Sequence, residues 1–352
     1  MKRFTFLVLI ANFALAERLP SENPLTVHEW GTFTSVTRLD GHAAVWAPLQ
    51  GPGDLPCFVE RLGQGNYKLF YGMVRMETPV LYFYARSPLT LSVKVDFPKG
   101  WVTEWFPKAS TVMPHVPDAV SPGNGSIAWD KVEVLPHSTP NLWTTQGASH
   151  YFAARNTDAA PVRIGGQWEK LIFYRGVGNF QPPLLPVYQP DGRLQLTNKG
   201  TEPIAAAILF ENRNGKLAYS VARDIKESVD FDAPKAVDAL DPLLAELTGY
   251  LVEFGLYPKE ARAMVATWRD SWFEPGSRIF YTMPRAQVDE LLPLQMSPPP
   301  SAVSRVFVGR AELLAPWVRD SIQAGQGNVF GRFTSPFMKE MARTGGRHSP
   351  SA

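Results

Sequence analysis

Residues 77–107 carry two hydrophobic patterns that predict two strands of different exposure. Residues 79–84 form an unbroken apolar and aromatic run, which is typical of a strand covered on both faces. Residues 90–97 alternate between apolar and polar side chains, as in a strand with one face in water. The intervening segment 86–88 ends in proline, which presets the backbone for a turn. We therefore predict a β-hairpin with one central and one half-exposed strand.

Short apolar runs of this kind recur along the chain to about residue 232. Clusters of proline and glycine separate them, and an Asp-Gly turn follows the first run. Further candidate strands are 27–36 (interrupted at Gly31), 101–106, 127–135, 150–154, 170–174, 193–197 and 204–212. Many short strands at this spacing predict a sandwich-like region of antiparallel sheets.

The pattern changes to helical spacing after residue 232. Asp241 and Pro242 predict an N-cap followed by proline at the first helical position, and apolar residues then repeat to Phe254. Gly255 is a plausible C-terminal stop, and Pro258 opens a second amphipathic helix. Beyond it we predict a strand over 278–283, a short helix over 287–292, a strand over 303–314 and final helices. The predicted fold class is α+β, with an N-terminal antiparallel β-sandwich-like region and a helix-rich mixed C-terminal region.

The first 16 residues have the pattern of a signal peptide. Two basic residues precede the apolar run 4–13, which is too short to span a bilayer, and an A-x-A cleavage site follows at 14–16. We therefore divide the chain into a signal peptide (1–16), a β-rich region (17–232), a helix-rich region (233–343) and a disordered polar tail (344–352). The mature protein is predicted to be exported, to the periplasm or beyond the cell.

The net charge limits the classes of partner that the chain can bind, and the cysteine count excludes an internal disulfide. The 352 residues include 35 basic and 33 acidic side chains, and removing the signal peptide removes two of the basic ones. A neutral mature chain without long basic runs argues against nucleic acid and anionic membrane surfaces, which require clustered positive charge. Cys57 is the only cysteine, so no internal disulfide can form, and we interpret it as an inert thiol.

His28, Glu29 and Trp30 form the most suggestive triplet for chemistry. A histidine next to a carboxylate can serve acid–base catalysis or bind a metal. Neighbours on a strand point to opposite faces, however, and no H-E-x-x-H motif follows. We therefore favour structural roles for His28 and Glu29 and predict no metal ligands. The other histidines of the β-rich half (42, 115, 137 and 150) could converge on a metal, but their spacing does not require it.

Loop and aromatic residues supply the candidate ligand contacts. Arg155, Arg175 and Asn179 follow predicted strands, where binding groups commonly lie. Seven of the ten tryptophans, Trp30 among them, fall in the first half, where exposed rings could line a groove for sugars or an extended peptide. Glu77, by contrast, is predicted to pair with an arginine in a buried ion pair rather than to act in catalysis. No motif identifies a cofactor.

Four segments together resemble an uncharacterised family of exported bacterial proteins. They are VHEWGTFTSV, METPVLYFYARSPLTLSVKVDFPKGWVTEWFP, KLIFYRGVGNF and GLYPKEARAMVATWRDSWFEPGSRIFYTMP. The resemblance covers most of residues 27–315. It implies a bacterial, exported protein and brings no activity, substrate or catalytic residue with it.

Three functional hypotheses follow from these observations. The first is a cell-envelope or extracellular binding or scaffold protein, whose partner is a polysaccharide, another polymer or an envelope protein. The alternative is an exported hydrolase, with or without the help of a metal ion, in which His28 and Glu29 act with distant histidines. In the third, the helical region docks the protein in a larger assembly. Two histidines and a carboxylate meeting in one pocket would favour the enzyme.

Overall fold

The computed structural model describes residues 24–50, 55–62, 70–114, 123–145 and 149–345. The predicted signal peptide, His115 and nearly all of the predicted tail lie outside these ranges. The strands in chain order are β1 (Thr26–Val36), β2 (Glu60–Arg61), β3 (Val74–Tyr84), β4 (Leu89–Phe97), β5 (Gly100–Phe106), β6 (Thr111–Met113), β7 (Gly125–Val134), β8 (Val162–Ile164), β9 (Gln167–Glu169), β10 (Ile172–Gly178), β11 (Leu184–Tyr188), β12 (Leu194–Asn198), β13 (Ile204–Arg213), β14 (Lys216–Ile225), β15 (Ser228–Phe231), β16 (Lys235–Val237), β17 (Gly276–Thr282), β18 (Leu294–Ser297) and β19 (Ala302–Leu313). The helices are α1 (Asp241–Glu253), α2 (Pro258–Trp272), α3 (Arg285–Leu291), α4 (Pro316–Gln323) and α5 (Thr334–Gly345), with 3-10 helices at His150–Arg155 and Gly327–Phe333.

A ten-stranded sheet organises the fold. Its order is β16-β14-β13-β17-β19-β1-β3-β10-β5-β2, and smaller sheets of six and three strands accompany it. The predicted α+β class is confirmed. The large sheet takes strands from both sides of residue 232, and β1 pairs in parallel with β19 near the other end of the chain. The N-terminal β-rich residues and the C-terminal residues therefore share one sheet.

The predicted hairpin is wrong, although both of its strands exist. Strand β3 pairs with β1 and β10 in the large sheet, whereas β4 pairs with β7 and β18 in the six-stranded sheet. The two patterns explain the separation. The continuous apolar run of β3 is covered on both faces, and the alternating run of β4 keeps one more exposed face. Segment 86–88 thus carries the chain from one sheet to another.

Helices α1 and α2 confirm the helical pattern after residue 232. Proline lies in the first turn of each, and their apolar faces pack into one core cluster with β13 and β17. Two details differ from the prediction. The N-cap of α1 is Leu240, with Asp241 in the first turn. The predicted strand 150–154 is wrong, because the Ser149 hydroxyl accepts a hydrogen bond from the Tyr151 amide and starts a 3-10 turn there.

The centre of the large sheet is irregular. The pairing of β1 with β3 shifts between Trp30 and Thr32, and β10 shifts against β3 and β5 between Phe173 and Gly176. Thr78 on β3 has φ of 48°, which is rare for a β-branched residue. Bulges redirect side chains and are frequent beside functional sites. Strands β1, β3, β5 and β10 therefore depart from regular pairing at the centre of the sheet.

Among the described residues, no helix combines the length and the apolar character needed to cross a bilayer.

Candidate functional site

His28 and Glu29 face opposite sides of the large sheet, as neighbours on a strand must. The Nδ1 atom of His28 lies 2.8 Å from Oε2 of Glu260 on α2, and its ring lies 4.3 Å from the ring of Tyr257. The other carboxylate oxygen of Glu260 accepts a hydrogen bond of 2.7 Å from the Tyr84 hydroxyl. His28 therefore fastens β1 to α2 from within the core, where it is 5% exposed.

Glu29 is fully buried on the other side of β1. It accepts hydrogen bonds from the Tyr174 hydroxyl and from Nε of Arg305. Burial alone would lower the pKa of Arg305, but the adjacent Glu29 carboxylate holds that pKa above its ordinary value. Burial, together with Glu29, raises the pKa of Tyr174. Glu29 thus neutralises a buried cation and does not share a reacting centre with His28.

Trp30 and Arg155 also have structural surroundings. Trp30 is fully buried in the core beside Tyr82, so a ligand has no access to its ring. Arg155 binds the buried Glu169 carboxylate through Nε at 2.9 Å and Nη2 at 2.5 Å, and donates to the Trp143 carbonyl. Asn179 is exposed just after β10, and its backbone N–H donates to the Lys99 carbonyl. Neither Arg155 nor Asn179 lines the cavity described next.

The predicted aromatic platform is largely absent among the described tryptophans of the β-rich half. Five of them are 8% exposed or less and pack in the core. Trp143 is half exposed and Trp168 is partly buried. The many tryptophans of this half therefore serve mainly to fill the space around the sheets.

A cavity of about 610 Å³ opens where the irregular centre of the sheet meets α2 and the 3-10 helix at 327–333. We call it the arginine pocket. It is lined by Gln50, Leu55, Arg75, Glu77, Thr78, His150, Tyr151, Phe173, Arg175, Thr267, Trp268, Asp270, Ser271, Glu274, Gly331, Arg332 and Ser335. Its volume lies in the range of small-molecule sites.

Three arginines of this pocket lie near one carboxylate, and two of them form ion pairs with it. Oε1 of Glu77 lies 2.8 Å from Nη1 of Arg332 and 3.4 Å from Nε of Arg75, and Oε2 accepts a hydrogen bond of 3.0 Å from the Thr34 hydroxyl. Arg175 donates from Nε to the Thr78 hydroxyl at 3.3 Å. Glu77, Arg75 and Arg175 are each at least nine-tenths buried. The predicted buried ion pair of Glu77 with an arginine is confirmed.

The local field at Glu77 is strongly positive. Burial acts to raise the pKa of Glu77, yet Arg332, Arg75, Arg310 and Arg175 together lower it to about 2. Burial also lowers the pKa of Arg75 to about 10; Arg332 and Arg175 add to this effect, whereas the carboxylates of Glu77 and Glu104 oppose it. The lowered pKa of Glu77 has the sign expected where the surrounding arginines outweigh the effect of burial. An additional anion would be attracted by the same positive charge.

The remainder of the pocket is aromatic on one side and acidic on another. Phe173 and Tyr151 belong to one core cluster with Trp268 of α2. Asp270 and Glu274 lie at the end of α2 and just beyond it. The Asp270 carboxylate is 74% exposed and lies 3.6 Å from Nε2 of His150. Glu274 accepts a hydrogen bond of 2.6 Å from Nη2 of the buried Arg310.

A second cavity of about 570 Å³ offers a useful contrast. It lies between the start of α4 and the β11–β12 turn, and its charged lining residues are Arg38, Asp191 and Arg319. All three are half-buried or exposed. Charges in contact with water are well solvated. This cavity therefore differs from the arginine pocket, where Arg75 and Arg175 are buried.

The site joins one residue predicted from sequence with several that were missed. Arg175 was predicted to bind a ligand, and Glu77 was predicted to form an ion pair. Arg75, two residues before Glu77 on β3, was not identified as a site residue, and Arg332 and Trp268 come from distant segments that converge only in the fold. Within the described ranges, no three histidine, cysteine or acidic side chains form a group that could hold a metal ion.

Comparisons with protein families and with curated proteins identify no relative of this chain. No protein-family model matches the chain, and a search of curated proteins finds no significant match. The resemblance to an exported bacterial family stays a prediction that rests on the four quoted segments. Function must therefore be argued from the arginine pocket itself.

Proposed function

We propose that this protein is an exported binding protein that holds an anionic ligand with a ring or apolar part in the arginine pocket. The observation that carries the proposal is the set of three arginines on the pocket wall, of which Arg75 and Arg332 pair with Glu77 and Arg175 donates to the neighbouring Thr78 hydroxyl. Arginine presents a planar fork of donors that matches carboxylate and phosphate groups. Because Arg75 and Arg175 are buried, water screens such contacts less than it does at an exposed surface.

The shape and lining of the pocket support a ligand larger than a simple ion. Leu55, Tyr151 and Trp268 give the pocket an apolar lining next to the arginines, whereas Phe173 is fully buried. Sites for organic ligands typically combine such apolar walls with a few convergent polar groups. The hydrolase alternative has less support, since His28 and Glu29 contact different partners on opposite faces of β1.

A thermal-shift screen tests the proposal. We expect 3-phenylpropionate, benzyl phosphate or phenyl sulfate at millimolar concentration to raise the melting temperature, because each places an anion beside a ring. Neutral 3-phenylpropanol is the matched control and is expected to have no effect. An equal shift by the alcohol, or no shift by any of the anions, would rule the proposal out.

Export is a separate part of the proposal, based on the sequence pattern of residues 1–16. In a Gram-negative host, we expect the mature chain in the periplasm to begin at Glu17, as read from its intact mass. The variant Ala16→Arg should block this processing, because the cleavage site requires a small residue. A chain that keeps residue 1 and remains in the cytoplasm would contradict export.

A further inference from the structure

We propose that the ligand of the arginine pocket is a short peptide with free ends, its carboxylate at the arginines and its amino group at Asp270. This inference rests on the proposed anion-binding function and specifies the class of ligand. Its basis is the distribution of charge over the pocket wall. Positive charge comes from β3, β10 and the 3-10 helix at 327–333, whereas negative charge comes from α2 and the residue that follows its C-cap.

The negative side is able to bind a cation. Asp270 projects from the last turn of α2 and keeps 74% of its side chain exposed, with His150 at 3.6 Å as its ion-pair neighbour. Glu274 lies four residues further on and is 34% exposed, although Arg310 already holds one of its oxygens. The C-terminal end of a helix carries partial negative charge, which adds to that of Asp270. A protonated amine is the small organic group that fits this lining.

The cavity of about 610 Å³ has room for more than one amino acid. The α-amine and α-carboxylate of a single residue are neighbours, whereas each further peptide residue extends the reach between the free amine and the free carboxylate by roughly 3.5 Å. A peptide of two or three residues also supplies apolar side chains for the wall that Leu55 and Trp268 contribute. Its carbonyls supply acceptors for the indole N–H of Trp268, which is buried and has no hydrogen-bond partner among the described residues.

A matched set of peptides separates the contribution of each charge. Calorimetric titrations would use Phe-Phe and Phe-Ala-Phe, their N-acetyl forms without the amine charge, and their C-terminal amides without the carboxylate. With the wild-type protein, we expect at least one free peptide to bind three- to tenfold tighter than its N-acetyl form, a modest factor because Asp270 is exposed. The amide should bind at least tenfold more weakly than the free peptide, because the arginines are buried.

Two variants assign these effects to residues. Asp270→Asn should remove the advantage of the free peptide over its N-acetyl form and leave the affinity for the N-acetyl form unchanged. Asp158→Asn is the matched control, since Asp158 is 69% exposed, pairs with Lys259 and lies outside the pocket lining. This control should bind all the peptides as the wild-type protein does.

The outcomes distinguish this inference from the proposed function. If acetylation leaves the affinity of both peptides unchanged, or Asp270→Asn weakens free and acetylated forms equally, the peptide inference is overturned. Binding of 3-phenylpropionate would then still support the anion site. If neither the peptides nor 3-phenylpropionate bind, both the inference and the proposed function are wrong.

Discussion

Replacing Glu77 by glutamine is expected to lower the free energy of unfolding at pH 7 by about 3–5 kcal/mol, the range for breaking one side of a buried ion pair. The substitution keeps the shape of the side chain but removes the carboxylate that Arg75 and Arg332 share. Two guanidinium groups would then be left in the pocket without their closest counter-charge. Urea unfolding of the two proteins measures the difference.

The same residue predicts a change in acid stability. Because the fold lowers the pKa of Glu77 from 4.5 to about 2, its ionised form stabilises the native state above pH 4.5. That contribution, of order 3 kcal/mol, should be lost as pH falls from about 4.5 to about 2. We expect the stability difference between wild type and Glu77→Gln to shrink by that amount over this interval.

A surface pair provides the control for Glu77. Glu253 accepts a hydrogen bond of 2.6 Å from Arg223, and both side chains are 43% exposed or more. Glu253→Gln should change the free energy of unfolding by less than about 1 kcal/mol, because exposed ion pairs contribute little. If Glu77→Gln costs no more than Glu253→Gln, or if its stability difference from wild type is the same at pH 7 and pH 3, the electropositive interior of the pocket is contradicted.

Arg155→Gln is the second substitution with a large expected effect, again about 3–5 kcal/mol of unfolding free energy. The change leaves the fully buried carboxylate of Glu169 without its charged partner. It also removes the hydrogen bonds by which Arg155 ties the 3-10 helix at 150–155 to Glu169. The Tyr151 hydroxyl of that helix still donates to Glu169 at 3.0 Å. Chemical unfolding monitored by tryptophan fluorescence measures the loss.

An exposed pair of the same geometry isolates the effect of burial. Arg163 donates to Glu133 from Nε at 2.8 Å and from Nη2 at 3.0 Å, the same two atoms with which Arg155 binds Glu169. The side chains of Arg163 and Glu133 are 42% and 22% exposed. Arg163→Gln should therefore cost less than about 1 kcal/mol. Equal costs for the two arginine variants would show that Arg155 is not the structural anchor we describe and would reopen its predicted role in ligand binding.

Local patterns were sufficient to predict most strands and helices but not strand partners. The apolar run in β3 and the alternation in β4 report how each strand is covered, which the structure confirms. The proline turn between them suggested a hairpin, yet a turn only permits pairing. Strand β1, for example, pairs with β19, and these two strands lie near opposite ends of the chain. No local pattern encodes a pairing of that range.

The site was predictable only in small part. Glu77 lies just before the predicted apolar run 79–84, and a buried charge requires a partner, which is the basis of the predicted ion pair. The structure extends that strand back to Val74, so Arg75 lies on the same strand as Glu77. Arg332 lies in the 3-10 helix at 327–333, near the end of the chain. It directly follows a kink at Gly331, which has φ of 52°. Nothing in the sequence around Arg332 indicates that it reaches a strand some 250 residues earlier.

Titration of 3-phenylpropionate by calorimetry tests the central claim most directly, with wild type, Arg332→Gln, Arg332→Lys and the surface control Arg223→Gln. Arg332 suits this test because its side chain is 16% exposed, more than those of the other two pocket arginines. We predict saturable one-to-one binding by wild type and Arg223→Gln, an affinity at least tenfold lower for Arg332→Gln, and partial retention by Arg332→Lys. Equal affinity for wild type and a folded Arg332→Gln protein would contradict an anion site built from these arginines.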